Sequence, residues 1–129
     1  MVDWKKIEMW GEYALRKLGY EDVHHARPSK QKRGGRWYTA SNDVWGCIDL
    51  MGTSDALPER RVQVCQTSGV SKHRRAIEMV HWNRGGIRTE ALLIEIWEYR
   101  KLGFRVHRYH GLYVGDRHWT VLPELIPIE

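Results

Sequence analysis

The runs Asn42-Asp43-Val44-Trp45-Gly46-Cys47-Ile48-Asp49-Leu50-Met51 and Arg60-Arg61-Val62-Gln63-Val64-Cys65-Gln66 hold the key to the fold of this chain. Both are rich in strand-forming residues, and the segment between them is rich in Gly, Ser, Asp and Pro. Residues 43–51 and 60–66 are therefore predicted to pair as a β-hairpin. An aspartate among Ile, Leu and Met is costly to bury unless its carboxylate meets a partner or a metal. Side chains alternate along a strand, which puts Gln63 and Cys65 on one face and Val62 and Val64 on the other. If Asp49 lies opposite Gln63, then Cys47 lies opposite Cys65, and one face shows all four residues. The alternative is that Asp49 caps the strand end near Gly52 and Gln63 is a solvated edge residue.

On the N-terminal side, Trp4, Ile7, Trp10, Ala14 and Leu18 recur at helical spacing, predicting a helix over 3–18 that Gly19 stops. Residues 20–27 form a predicted strand. Pro28 then opens a polar, basic stretch through Arg36 with the composition of a mobile loop. On the C-terminal side, residues 71–82 are a predicted helix, with Val70, Ile77 and Val80 inward and Lys72, His73, Arg74 and Arg75 largely outward. Residues 83–86 break it. Residues 91–97 are the most apolar run and are expected at the centre of the sheet. Residues 104–109 alternate as a further strand, and 121–128 are expected to dock as another. The order is α-β-β-β-α-β-β, an α/β fold without internal repeats.

A chain of 129 residues, 42% of them hydrophobic, suits one domain around one core. Its 21 Lys and Arg against 16 Asp and Glu leave a net charge of +5, an excess that makes a polyanion a plausible partner. No apolar run is long enough to span a membrane, and no signal-peptide pattern is present. Two cysteines are too few for a disulfide scaffold, so a cytoplasmic protein with reduced thiols is expected.

Taken together, these elements resemble the PD-(D/E)xK nucleases, which have a restriction-endonuclease-like fold, and among them the archaeal-type Holliday junction resolvases. The resemblance runs from Glu8 to about Tyr109. It is carried by the helix Ile7-Glu8-Met9-Trp10 closing at Leu18-Gly19-Tyr20, by the strand Ile48-Asp49-Leu50, and by the strand Val62-Gln63-Val64-Cys65. Glu8 stands eleven residues before Gly19, a spacing that resembles the resolvases and favours Glu8 over Glu12. The resemblance implies a mixed sheet in an α-β-β-β-α-β core with helices on both sides. It also implies a Mg²⁺ (or Mn²⁺) ion held by Glu8, Asp49, Gln63 and the Val64 carbonyl, since such ions take hard oxygen ligands. The implied substrate is branched or junction DNA, cut symmetrically by a homodimer.

One departure matters. The family's Glu-x-Lys is Gln63-Val64-Cys65 here. A glutamine ligand removes one negative charge and lowers metal affinity. Cys65 cannot replace a lysine that orients the attacking water and meets the charge developing on phosphate. Lys72, at the start of the following helix, is the candidate to take over that task; the alternative is a solvent-exposed helix lysine. Asp43 is a further acidic candidate, lying either on the Asp49 face or in a turn that starts the strand.

The cysteines, with His24, His25 or His73, lack zinc-site spacing. Two basic clusters flank the hairpin: Arg27, Lys30, Lys32, Arg33 and Arg36 before it, and Lys72, Arg74 and Arg75 after it. Arg and Lys contacts to phosphate supply most nucleic-acid affinity. Trp37 and Tyr38 close the first cluster, placed either to stack on bases or wedge at a junction, or to anchor the core. Two functions are expected from these residues. One is a metal-dependent, structure-selective DNA endonuclease with Glu8, Asp49, Gln63 and Lys72 as its catalytic set. The other is a DNA-binding protein that keeps the fold without hydrolysis. A restriction or repair nuclease acting on ordinary duplex is a third, weaker class.

Overall fold

A computed structural model describes residues 4–25, 29–33, 36–40, 48–83, 92–111 and 118–128. Helix α1 (Trp4–Lys17) turns Ile7, Ala14 and Leu15 into the core. It ends where the sequence predicts. Gly19 takes a φ of 107°, its N–H reaches the Arg16 carbonyl at 3.1 Å, and the Tyr20 N–H reaches the Leu15 carbonyl at 3.2 Å. These crossed bonds need a left-handed residue, which glycine supplies without steric cost. Within the helix, a Cβ on Gly11 would stand 2.8 Å from Leu50 Cδ1, so α1 lies directly on the strand that carries Leu50.

The strands that follow are β1 (Asp22–His25), β2 (Ser29–Arg33), β3 (Arg36–Ala40), β4 (Leu50–Thr53) and β5 (Glu59–Cys65). A 3-10 turn (Thr67–Gly69) leads into α2 (Val70–Asn83), then β6 (Leu92–Arg100), β7 (Gly103–Tyr109), β8 (Trp119–Val121) and β9 (Ile126–Pro127). The main sheet runs β1-β4-β5-β6-β7-β8, with β9 also paired to β7. Among these described strands only the β5–β6 pair is parallel, joined through α2; the other pairs are antiparallel. The sheet is therefore mixed, and β6 lies between β5 and β7, as its apolar composition predicts.

The register of β4 on β5 sets Leu50 against Val62, Met51 against Arg61 and Gly52 against Arg60. The Asp49 N–H reaches the Val62 carbonyl at 3.1 Å, one residue out of that register, so Asp49 and Leu50 both oppose Val62 as in a β-bulge. Val62, Val64, Trp97, Phe104 and Val106 pack on one face with Ile7, Ala14 and Leu15 of α1. Cys65, Ile94, Ile96 and Tyr109 pack on the other face with Ile77 of α2. Ile48 joins the α2 core and Leu50 the α1 core, so strict alternation fails between them.

Three expectations are corrected. Within the stretch expected as a loop, Ser29–Arg33 is a strand that pairs with Arg36–Ala40 as a separate two-stranded ribbon, and residues 28, 34 and 35 lie outside the described residues. Trp37, Tyr38 and Thr39 are strand formers, and the Gly34-Gly35 pair between the runs is a tight-turn signal that the run of positive charge obscures. Of the hairpin strand expected over 43–51, residues 43–47 lie outside the described residues; β4 begins at Leu50 and continues to Thr53, so Asp49 stands just before it. The C-terminal segment contributes two short strands, β8 and β9, laid at different levels along β7.

One carboxylate in the apolar β6 is fully buried on the α1 side. Glu95 accepts from Trp97 Nε1 at 2.9 Å and from Arg108 Nε at 2.8 Å, with Arg60 Nη1 at 3.6 Å. Removing it would leave two cationic side chains and an indole N–H without their acceptor. Glu95→Ala is expected to cost about 3 kcal/mol, the lower end for breaking a buried ion pair because Arg108 keeps some solvent access. Urea unfolding of the variant checks this, with Glu95→Gln expected to lose less.

Candidate functional site

The C-terminal ends of the parallel strands β5 and β6 and the start of β4 meet beneath the first turn of α2, and a row of polar side chains is buried there. Asp49, Gln63, Glu98 and His107 are each less than a tenth exposed, with Cys65 among them. Crevices outside the carboxyl ends of parallel strands are where open α/β sheets bind ligands.

At one end of the row, Gln63 Nε2 donates to Asp49 Oδ2 at 2.7 Å and to the Val64 carbonyl at 3.2 Å. The structure thus brings together three groups of the expected metal set: Asp49, Gln63 and the Val64 carbonyl. Their arrangement does not fit a divalent cation. The Gln63 amide nitrogen, a donor, stands at the meeting point of the two oxygens that would hold the ion. A carboxylate and a carbonyl only accept, so the amide satisfies both without any metal. The set also carries a single carboxylate charge. Among the described residues no group of three His, Cys, Asp or Glu side chains could hold a metal ion.

Cys65 follows at the position of the expected lysine. Burial, then the nearby carboxylates of Glu98 and Asp49, push its thiol up to about 12, so it is a neutral thiol at physiological pH. It cannot meet developing negative charge.

The remaining expected residues are distributed as follows. Glu8 is half-buried on α1, the helix covering the opposite face of the sheet from Gln63. Glu12 is engaged elsewhere, 2.9 Å from His25 Nε2 and 3.2 Å from Arg16 Nη2. Lys72 and Arg75 are exposed on α2. Lys30, Lys32, Arg33, Arg36 and Trp37 belong to the β2–β3 ribbon by their backbone. Arg27, Asp43 and Cys47 lie outside the described residues. Arg74 departs from the outward position that its helix spacing predicts. It is half-buried, with Nη2 2.7 Å from His107 Nδ1 and its guanidinium 5.3 Å from the Trp119 ring centroid. The shallow cavity of ≈ 480 Å³ between Met9, Glu12, Tyr13, Arg16 and Lys17 takes in none of the polar row.

The polar row also contains two residues that the sequence motifs do not single out, Glu98 and His107. Glu98 Oε2 accepts from Thr67 Oγ1 at 2.6 Å and from Arg100 Nη1 at 3.2 Å, and its Oε1 lies 2.9 Å from His107 Nε2. For Glu98, one residue beyond the apolar 91–97 run, the available signal is the one that singles out Asp49: a carboxylate beside apolar strand residues needs a partner. Burial alone would raise the Glu98 carboxyl, but the bonds from Thr67, His107 and Arg100 outweigh it and hold Glu98 below the usual carboxylate range. Burial lowers His107; its bond to Glu98 opposes this, while the positive charges of Arg74 and Arg105 add to it.

No family model, curated protein or solved structure matches the chain.

The two shifts make stability acid-sensitive in two windows. His107 is held below its ordinary value of 6.5, so the unfolded chain binds its proton first. The stability from neutral His107 is present above that pH and is lost as pH falls toward the folded value. Glu98 is held below 4.5, and its contribution is lost in a second, more acidic window. Urea midpoints are expected to fall from pH 7 to pH 5, with a shallower fall for His107→Gln. An equal fall in the variant would assign that window to other groups, His73 and His81 being shifted in the same direction.

Proposed function

We propose that this chain is a DNA-binding protein built on a restriction-endonuclease-like core that binds DNA without hydrolysing it. The core reading is supported by chain order. With the β2–β3 ribbon counted as an insertion, α1, β1, β4, β5, α2 and β6 follow α-β-β-β-α-β, with α1 and α2 on opposite faces. The observation that carries the loss of hydrolysis is the Gln63 amide, whose nitrogen bridges Asp49 and the Val64 carbonyl. Neutral Cys65 stands where a cation would be needed.

The DNA reading is supported by charge and shape. The net charge is +5, and Lys30, Lys32, Arg33 and Arg36 all belong to a two-stranded ribbon, an element that fits the major groove of B-DNA. Lys72 and Arg75 add exposed cations at the start of α2, beside the polar row. A second reading, a Mg²⁺-dependent junction endonuclease acting as a homodimer, is favoured by the convergence of Asp49, Gln63 and the Val64 carbonyl at one point. It requires the Gln63 amide to turn its oxygen inward and Lys72 to meet the phosphate charge.

A labelled four-way junction and a matched duplex, each in Mg²⁺, Mn²⁺ or chelator, separate these readings. Retarded but uncut DNA in all three conditions is expected. Cleavage that Asp49→Asn abolishes would establish the nuclease reading, and failure to retard either DNA would overturn the binding reading.

Two further outcomes are expected of the same residues. Replacing Lys30, Lys32, Arg33 and Arg36 with Ala should flatten the salt dependence of binding, whatever the DNA sequence. The logarithmic slope should drop by about 0.9 for each phosphate that these side chains neutralise. Gln63→Glu with Cys65→Lys is expected to create Mn²⁺ binding, measured by calorimetry, that the parent lacks.

A further inference from the structure

The far end of the polar row carries a second arrangement, built from different side chains. An arginine only donates and a carboxylate only accepts, so the neutral His107 ring between them has one consistent tautomer. Its Nε2–H donates to Glu98, and its Nδ1 accepts from Arg74 Nη2. Glu98 is itself held by Thr67 and Arg100, and His107 and Glu98 are each less than a tenth exposed. Arg74 is therefore held by a buried pair at Nη2, with its guanidinium carbon over the Trp119 ring. Among the described residues no carboxylate pairs with its guanidinium, and Arg105 and Arg100 add positive charge around the same two buried groups.

A guanidinium held in this way loses little freedom when it meets a planar or tetrahedral oxyanion, and its fork matches phosphate oxygens. We propose that Arg74 is a fixed phosphate-binding residue, with His107 and Glu98 as the positioning residues that aim it. The inference rests on the DNA-binding reading for the source of the phosphate, a backbone phosphodiester, but not for the arginine's orientation. It also assigns His107 a role that needs it neutral: a protonated ring would lose the lone pair that accepts from Arg74 and would set two cations side by side.

The test uses the whole chain in two arms. In the first, the salt dependence of DNA binding is measured for the parent, Arg74→Ala, His107→Leu, His107→Gln and the double variant Arg74→Ala/His107→Leu, with the melting temperature of each recorded. Arg74→Ala is expected to reduce the salt slope by about one unit, as when one phosphate is no longer neutralised. His107→Leu should reproduce that reduction although the arginine is still present. His107→Gln, which can both donate and accept, should restore the parent slope. The double variant should be no worse than Arg74→Ala alone, because both changes remove the same interaction. A loss of fold would lower the melting temperature without this pattern in the slope.

In the second arm, the Arg74 guanidinium ¹⁵N resonances of the parent are followed during titration with inorganic phosphate, with chloride as control. A saturable shift specific to phosphate is expected. An unchanged slope in Arg74→Ala together with no phosphate-dependent shift overturns the assignment of Arg74. A parent-like slope in His107→Leu overturns the positioning role. If the parent binds no DNA, the DNA-binding reading falls by itself. The phosphate titration then decides the inference alone: a shift upholds it with free phosphate as the source, and no shift overturns it.

Discussion

The constraint on which the rest of this structure depends is the register of β4 against β5. Side chains have a period of two along a strand, so a slip of one residue would exchange the two faces of the hairpin. Val62 and Val64 would leave the α1 core, and Gln63 and Cys65 would enter it. With Leu50 set against Val62, the apolar residues meet α1, and a one-residue slip at Asp49, whose N–H also reaches the Val62 carbonyl, lets its carboxylate meet the Gln63 amide. The close approach of Gly11 to Leu50 locks the same choice from the helix. The Asp49–Gln63 end of the polar row depends on this alignment.

Much of this is legible in the chain itself. The helix ending at Gly19 and the central placement of the 91–97 run follow from periodicity, whereas the meeting of Asp49 and Gln63 is one of two arrangements that the sequence leaves open. The β2–β3 ribbon is not legible, because β2 is dominated by Lys and Arg and lacks the alternation that marks a half-buried strand. The tail is only half legible: an apolar segment announces that it docks, but not that it docks as two pieces.

Glu98 and His107 are hidden for a different reason. They lie nine residues apart on neighbouring strands, and they meet only because β6 and β7 are antiparallel with Glu98 set against Arg105. Arg74 misleads for a related reason. Its helix position is compatible with solvent, and only the buried acceptor on β7 turns it inward. Local pattern reports where a residue stands on its own element, whereas a polar network is a property of three elements at once. Gln63 shows the converse: its departure from the nuclease pattern is visible at once, yet what the amide does with its protons requires the geometry.

The divided far edge of the sheet has a consequence for how the protein behaves in a crowded solution. A long open strand is a template on which another chain can extend the ladder. Along β7, that template is occupied in two short stretches: β8 covers His107 to Tyr109, and β9 covers Gly103 and Phe104. Neither covering strand exceeds three residues, and Pro127 in β9 has no N–H to offer an incoming strand. Among the described residues, a neighbouring molecule thus finds only short, interrupted stretches along this edge on which to extend the ladder.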